Sequence, residues 1–149
     1  MKFKELELSE PVLKAINDLE YNEATYIQAS CIPIILNDGD VLGQSQTGTG
    51  KTAAFGLPII DRIQKNEGKR KVQTLILSPT RELALQVSDE LRKFSKYKEN
   101  IKIITIYGGT SFQDQISNIK KGCEIIVGCP GRILDHLDKK ILKLDGCKT

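Results

Sequence analysis

Apolar residues in this chain fall in short runs separated by longer amphipathic stretches, and this alternation restricts the fold more than any other property. The runs are Val41-Leu42, Val72 to Leu77, Ile101 to Tyr107 and Glu124 to Gly128. Helical spacing predicts helices over Lys51 to Gln64, Glu82 to Phe94, Gln113 to Lys120 and Ile133 to Leu137. Leu75-Ile76-Leu77 and Ile103-Ile104 offer no polar face, as strands covered on both sides of a parallel sheet require. An α/β fold follows, mainly parallel sheet with helices on both faces and right-handed crossovers. Upstream, Ser9 and Pro11 start a predicted helix with Val12, Leu13, Ile16 and Leu19 on one face. A second predicted helix runs through Ile27, Cys31, Ile34 and Ile35 and must tolerate or bend at Pro33.

Functional loops of such folds lie at the carboxyl ends of strands. There, after Val41-Leu42, stands Ser45-Gln46-Thr47-Gly48-Thr49-Gly50-Lys51-Thr52, opening a predicted helix. Its glycines let backbone N–H groups turn inward around a phosphate, because positive φ is cheap only for glycine. The helix N-terminus adds partial positive charge at the same point. Lys51 can reach the outer phosphates of a nucleoside triphosphate, and the Thr52 hydroxyl can ligate Mg²⁺. The common pattern begins with glycine where this chain has Ser45, a residue small enough to fit. The loop points to a nucleoside triphosphate as ligand but leaves kinase, GTPase, transporter ATPase and helicase open.

Composition removes other classes. With 149 residues, 40% hydrophobic and 28% charged, the chain suits one soluble domain of ordinary size or a large piece of a bigger one. It lacks the roughly 18-residue apolar stretch of a membrane helix and an apolar signal-peptide core, so a cytoplasmic protein is expected. Cys31, Cys123, Cys129 and Cys147 lack paired metal-ligand spacing and read as reduced thiols. His136 is the single histidine, which rules out a His-based metal site and a Ser-His-Asp triad. The net charge of +3 is compatible with a nucleic-acid partner, and Lys69-Arg70-Lys71 reads as a solvated loop.

Three further segments follow predicted strands: Pro79-Thr80-Arg81-Glu82-Leu83-Ala84, Gly108-Gly109 and Cys129-Pro130-Gly131-Arg132. With Gln28 and the phosphate loop, their order and spacing resemble the first RecA-like domain of DEAD-box ATP-dependent RNA helicases, from Phe3 to about Leu144. The resemblance implies a RecA-like P-loop NTPase fold. It makes residues 1–36 a helical adenine-recognition segment and 37–149 part of an ATP-binding domain. It gives Gln28 the adenine edge, which an amide with both donor and acceptor suits. Tyr21 is to stack on the base, with Phe3 bracing it. Lys51 and Thr52 take catalytic roles, and Thr52 is the Mg²⁺ ligand. Pro79, Thr80, Arg81, Gly108, Gly109, Pro130, Gly131 and Arg132 are to contact RNA through phosphate and sugar, so without sequence preference. The chain departs from the family pattern at Glu20, Ala24 and Tyr26, at Ser45, and at Cys129, where threonine is usual and cysteine is the poorer hydrogen-bond donor.

The activity implied is an RNA-stimulated ATPase that unwinds short RNA duplexes. The family's Asp-Glu-Ala-Asp strand, its Ser-Ala-Thr segment and its second RecA-like domain do not occur in these residues. The isolated chain is therefore expected to bind ATP weakly, to hydrolyse none, and to leave an apolar sheet edge unpaired beside the phosphate-loop strand. The alternatives are a DNA helicase or translocase of the same superfamily, a small-molecule P-loop kinase, for which no arginine-rich lid is visible, and a non-catalytic nucleotide- or RNA-binding module.

Overall fold

The structure, a computed structural model, describes residues 1–149. It divides into two compact units, Met1–Ile63 with Glu90–Glu99, and Gln64–Asp89 with Asn100–Thr149.

In the first unit a 3-10 turn, Phe3–Glu5, precedes α1 (Glu10–Asp18), α2 (Tyr26–Leu36) and α3 (Lys51–Arg62). Ser9 occupies the N-cap of α1 and Pro11 its first turn, as read from the sequence. Its hydroxyl does not cap the helix. The Ser9 N–H donates to Asp61 Oδ1 at 3.0 Å and the hydroxyl donates to the same oxygen, tying α1 to α3. Val12 and Ile16 of α1 join Ile32, Leu57 and Ile60 in a core closed to solvent. Pro33 stays inside α2, and Asn37 donates to the Pro33 carbonyl from both its backbone N–H (3.2 Å) and Nδ2 (2.8 Å). Cations satisfy the helix C-termini, where the dipole favours them. Arg62 Nη1 donates to Ile35 O at 3.1 Å, and Lys98 Nζ donates to Ile60 O at 2.7 Å, while burial pushes the Lys98 pKa down. A side chain at Gly56 would meet Leu91 Cδ2 at 3.0 Å, so glycine lets α3 approach the Glu90–Phe94 segment closely.

The strand expected at Val41-Leu42 does not form. Residues 39–46 have no regular structure, and Leu42 is fully exposed. Two strand-favouring residues between Gly39-Asp40 and Gly43 supply too few ladder bonds to hold an extended segment.

The second unit holds β1 (Thr74–Leu77), the first part of α4 (Arg81–Phe94), β2 (Ile103–Ile106), α5 (Phe112–Lys121), β3 (Ile125–Gly128) and α6 (Pro130–Asp138). The strands are all parallel, in the order β1-β3-β2. β3 is central and buried throughout. The register sets Leu75, Ile126 and Ile104 side by side on one face. Ile119 of α5 and Ile133 of α6 cover that face. On the other, Thr105 Oγ1 lies 2.5 Å from Ser88 Oγ of α4. Helices thus cover both faces, as predicted. Gly128 is sterically required, since a Cβ there would lie 2.6 Å from Ile133 Cδ1 and 3.0 Å from Ile106 O. Along the other edge of β1, Leu75 N–H donates to Thr149 O at 2.9 Å and Lys148 N–H to Gln73 O at 3.2 Å.

Before β3 sits a buried carboxylate. Glu124 Oε1 accepts from Arg70 Nη1 (2.9 Å) and Lys102 N–H (2.7 Å), and Oε2 accepts from Asn66 Nδ2 (2.8 Å). It fastens the connection ahead of β1 to the base of the sheet. Burial, with the Glu124 charge adding to it, pushes the neighbouring Cys123 thiol up to about 12, so it is an inert core residue at neutral pH. Removing the carboxylate leaves three donors without their acceptor. Glu124→Ala is expected to cost about 2–3 kcal/mol, read as a lower denaturant midpoint, with Glu124→Gln intermediate.

Candidate functional site

The phosphate loop is braced from within. The Thr49 hydroxyl donates to Gln46 O at 2.8 Å, so the Ser45 hydroxyl, 2.6 Å away, donates to Thr49 Oγ1. Ser45, where the usual pattern has glycine, thus closes the loop with a bond that glycine lacks. Gly48 and Gly50 take φ of 78° and 84°, and Gly50 is the N-cap of α3. Ala54 N–H bonds back to Gly50 O at 3.1 Å, while the N–H groups of Lys51, Thr52 and Ala53 have no acceptor. Three free donors at a helix N-terminus can receive an anion. Lys51 Nζ donates to Ser45 O at 2.6 Å, which holds the ammonium over the loop and leaves two of its three donors for a ligand. The Thr52 hydroxyl makes no hydrogen bond.

Gln28 lies against this loop, only 4% exposed. Its Oε1 accepts from Thr25 N–H at 3.0 Å, and Gln28 N–H donates to Thr25 Oγ1 at 3.4 Å, closing a capping box at the start of α2. Its Nε2 donates to Gly50 O at 3.2 Å. Both ends of the amide are thus engaged within the protein, and one N–H and one lone pair remain for a ligand. The Thr25-x-x-Gln28 spacing was a legible helix start that the reading from Ile27 overlooked. Phe3 is buried, with its ring 6.3 Å from that of Tyr21 and inclined by 28°. Tyr21 keeps 37% of its surface exposed, so it is braced on one side and accessible on the other.

The second unit gathers the three remaining segments along the carboxyl ends of its strands. After β1, Pro79 and Thr80 are exposed, and Thr80 Oγ1 accepts from Leu83 N–H at 3.2 Å, leaving the N–H groups of Arg81 and Glu82 free. After β3, Cys129 makes no side-chain cap, Pro130 opens α6, and the N–H groups of Gly131 and Arg132 are free. Each helix start therefore carries two open N–H donors beside an arginine. Gly108 and Gly109, after β2, are exposed, and the Arg132 guanidinium approaches within 4.0 Å of where a Gly108 Cβ would sit.

Two residues that the sequence reading passed over join these segments. The Arg81 guanidinium lies 4.8 Å from the Tyr107 ring centroid. Gln115 Nε2 donates to Tyr107 O (2.7 Å) and Thr110 Oγ1 (2.6 Å), while its Oε1 accepts from Arg132 Nη1 (3.3 Å) and faces His136 Nε2 (3.0 Å). His136 is fully buried and stacks on Phe112 with centroids 4.4 Å apart. Gln115 Oε1 can only accept, so Nε2 carries the proton of a neutral ring and Nδ1 is left without a partner. Burial above all, then the Arg132 charge, holds the His136 pKa below its usual value.

One unit with a glycine-braced loop at a helix N-terminus and a second with a three-stranded parallel sheet and cationic strand-end loops are the parts of a P-loop α/β fold. The profile described as DEAD/DEAH box helicase matches residues 25–149. The chain belongs to that family. It is 49% identical over 148 residues to the ATP-dependent RNA helicase CshA of Listeria monocytogenes, covering 99% of this chain and 28% of that protein. It is 49% identical over 147 residues to the DEAD-box ATP-dependent RNA helicase CshA of Bacillus cereus, covering 99% of this chain and 27% of that one. The chain thus spans little more than a quarter of these relatives. Among solved structures, a DEAD box protein from the hyperthermophile Methanococcus jannaschii superposes with a TM-score of 0.91 at 42% identity, over 99% of this chain and 39% of the other. A hypothetical ATP-dependent RNA helicase from Sulfolobus tokodaii gives 0.83 at 31% identity, over 94% and 39%. No helix is long and apolar enough to cross a membrane.

Two expectations follow from this geometry. Gly48 has open space around it, so Gly48→Ala should cost only the left-handed strain of about 1–2 kcal/mol. A Cβ at Gly50 would lie 2.2 Å from Gln28 Nε2, so Gly50→Ala should cost clearly more and displace Gln28, as paired denaturation curves would reveal. For His136, the depressed folded pKa means that the unfolded chain takes up the proton first. Its contribution is present above the unfolded value of about 6.5 and is lost as pH falls towards the lower folded value. The stability difference between wild type and His136→Gln should therefore shrink on acidification below that pH in urea titrations.

Proposed function

We propose that this chain is the ATP-holding part of an ATP-dependent RNA helicase, an RNA-stimulated ATPase that unwinds short RNA duplexes in the cytoplasm. In this reading residues 1–36 recognise adenine and 37–149 form part of a RecA-like ATP-binding domain. The names of the two CshA relatives, at 49% identity, support ATP and RNA as ligands. The observation that carries the proposal is the junction at Gly50. One residue there turns the phosphate loop into α3, frees three helix N–H donors, and is held by Gln28. Nucleotide base and phosphates would thus be recognised by groups already bonded to each other. Gln28 uses its remaining donor and acceptor on adenine, Tyr21 stacks on the ring with Phe3 behind it, and Ser45 to Thr52 with Lys51 hold the phosphates.

Mg²⁺ fits the site as a passenger of the nucleotide. No group of three His, Cys, Asp or Glu side chains is placed to hold a metal, whereas the Thr52 hydroxyl is unengaged at the loop. When bound, the ion neutralises phosphate charge. RNA would be held by the free N–H groups and arginines at Pro79–Arg81 and Pro130–Arg132, with Gly108 and Gly109 admitting the strand closely. Such contacts are sequence-independent and salt-sensitive. A second RecA-like domain in the full-length protein would complete the enzyme, and the relatives' length leaves room for it.

In the full-length protein, Lys51→Ala should lower RNA-stimulated ATP turnover by about 10²–10³-fold, and chelation of Mg²⁺ should abolish it. RNA should stimulate where DNA does not, and ATP rather than GTP should compete for an adenine-nucleotide crosslink. Equal stimulation by DNA would replace the RNA reading with a DNA translocase. Loss of both crosslinking and turnover would leave a non-catalytic module.

A further inference from the structure

We propose that the second unit carries a docking groove for an acidic, apolar-bearing polypeptide segment of a partner protein. It lies at the amino ends of β1 and β3, the opposite end of the sheet from the segments assigned to RNA. The groove is a depression of about 680 Å³. Its rim carries Lys69, Lys71, Lys120, Lys139, Lys140 and Lys143, all exposed and none in an ion pair. Arg70 also borders it but is spent on Glu124, and Asp145 is the single carboxylate. The lysine-rich run read from sequence as a solvated loop is therefore one side of a basic ring closed by the end of α5 and the turn after α6. The modest net charge of +3 conceals this concentration.

The floor is aliphatic, formed by the buried Val72, Ile119, Cys123 and Leu142. The turn after α6 builds both layers. Ile141 and Leu142 N–H both bond to His136 O, at 3.0 and 3.1 Å, folding the chain back so that Leu142 enters the floor. Lys140 makes this turn at φ 56°, where glycine is the residue without strain. The lysine is strained there and brings an ammonium group to the rim.

Unpaired ammonium groups around an aliphatic floor match aspartate and glutamate interleaved with leucine-like side chains. Carboxylates relieve the mutual repulsion of the lysines while apolar residues cover the floor. Single-stranded RNA fits less well, because no aromatic side chain lines the groove for a base to stack on. This inference does not rest on the helicase reading.

The test uses full-length protein and a fluorescein-labelled peptide in which leucine alternates with aspartate and glutamate, followed by anisotropy. Peptide binding should weaken about tenfold or more when Lys120→Glu, Lys140→Glu and Lys143→Glu are combined. It should also weaken with added salt and resist competition by single-stranded RNA. RNA-stimulated ATP turnover of the variant should stay at the wild-type level, which separates this site from the nucleotide and RNA sites. The Lys→Gln set at the same three positions should give a smaller loss and serves if charge reversal prevents folding. Absence of peptide binding, or binding indifferent to either set, would overturn the proposal. Displacement of the peptide by RNA, with RNA affinity lost in the variant, would assign the groove to RNA instead.

Discussion

The phosphate loop depends on one buried amide. Gln28 accepts from Thr25 N–H and donates to Gly50 O, so the start of α2 and the start of α3 are pinned to each other through a single side chain. The loop before Gly50 has no regular structure to hold it, since residues 39–46 form neither strand nor helix. Its shape rests on three short-range devices: the Ser45–Thr49 hydroxyl pair, the Lys51 bond to Ser45 O, and the Gln28 tie. A buried polar group of this kind costs free energy unless fully partnered. Partnering it on both sides therefore fixes a geometry rather than adding bulk stability.

The second unit repeats the solution with a different glutamine. Gln115 reaches the loop after β2 through its amide N–H groups and the N-terminal turn of α6 through its oxygen. Tyr107 extends the link, with its carbonyl held by Gln115 and its ring beneath Arg81. The three strand-end segments are thus coupled, although no two of them are adjacent in sequence. Cys129 stands at the α6 N-cap and accepts from Ile133 N–H through its backbone carbonyl, but its thiol makes no cap, so the N–H groups of Gly131 and Arg132 stay open. Where serine or threonine would cap, an additional donor is left for a ligand.

Charge is distributed in the same unit with two different purposes. At the carboxyl ends of the strands, Arg81 and Arg132 lie against aromatic rings, Tyr107 and Phe112, which aims planar cations outward from a fixed base. At the amino ends, flexible lysines surround an aliphatic floor without stacking partners of their own, Lys139 over Phe112 excepted. At that same end Glu124 pairs with Arg70 and so removes one cation from the free set.

The sequence by itself determined the helices, the three strands that pair, and the residues of the phosphate loop and strand-end segments. These follow from period and local chemistry: alternation of apolar runs, glycine where φ is positive, proline at a first helical turn. It misjudged Val41-Leu42, because a strand exists only if a neighbour completes its ladder. Strand order, the burial of Gln115 and His136, and the gathering of lysines from three separate segments were decided by tertiary structure alone. A glutamine or lysine on an amphipathic helix reads as solvent-facing whatever its fate. What it touches depends on residues far along the chain, and only packing brings those to it.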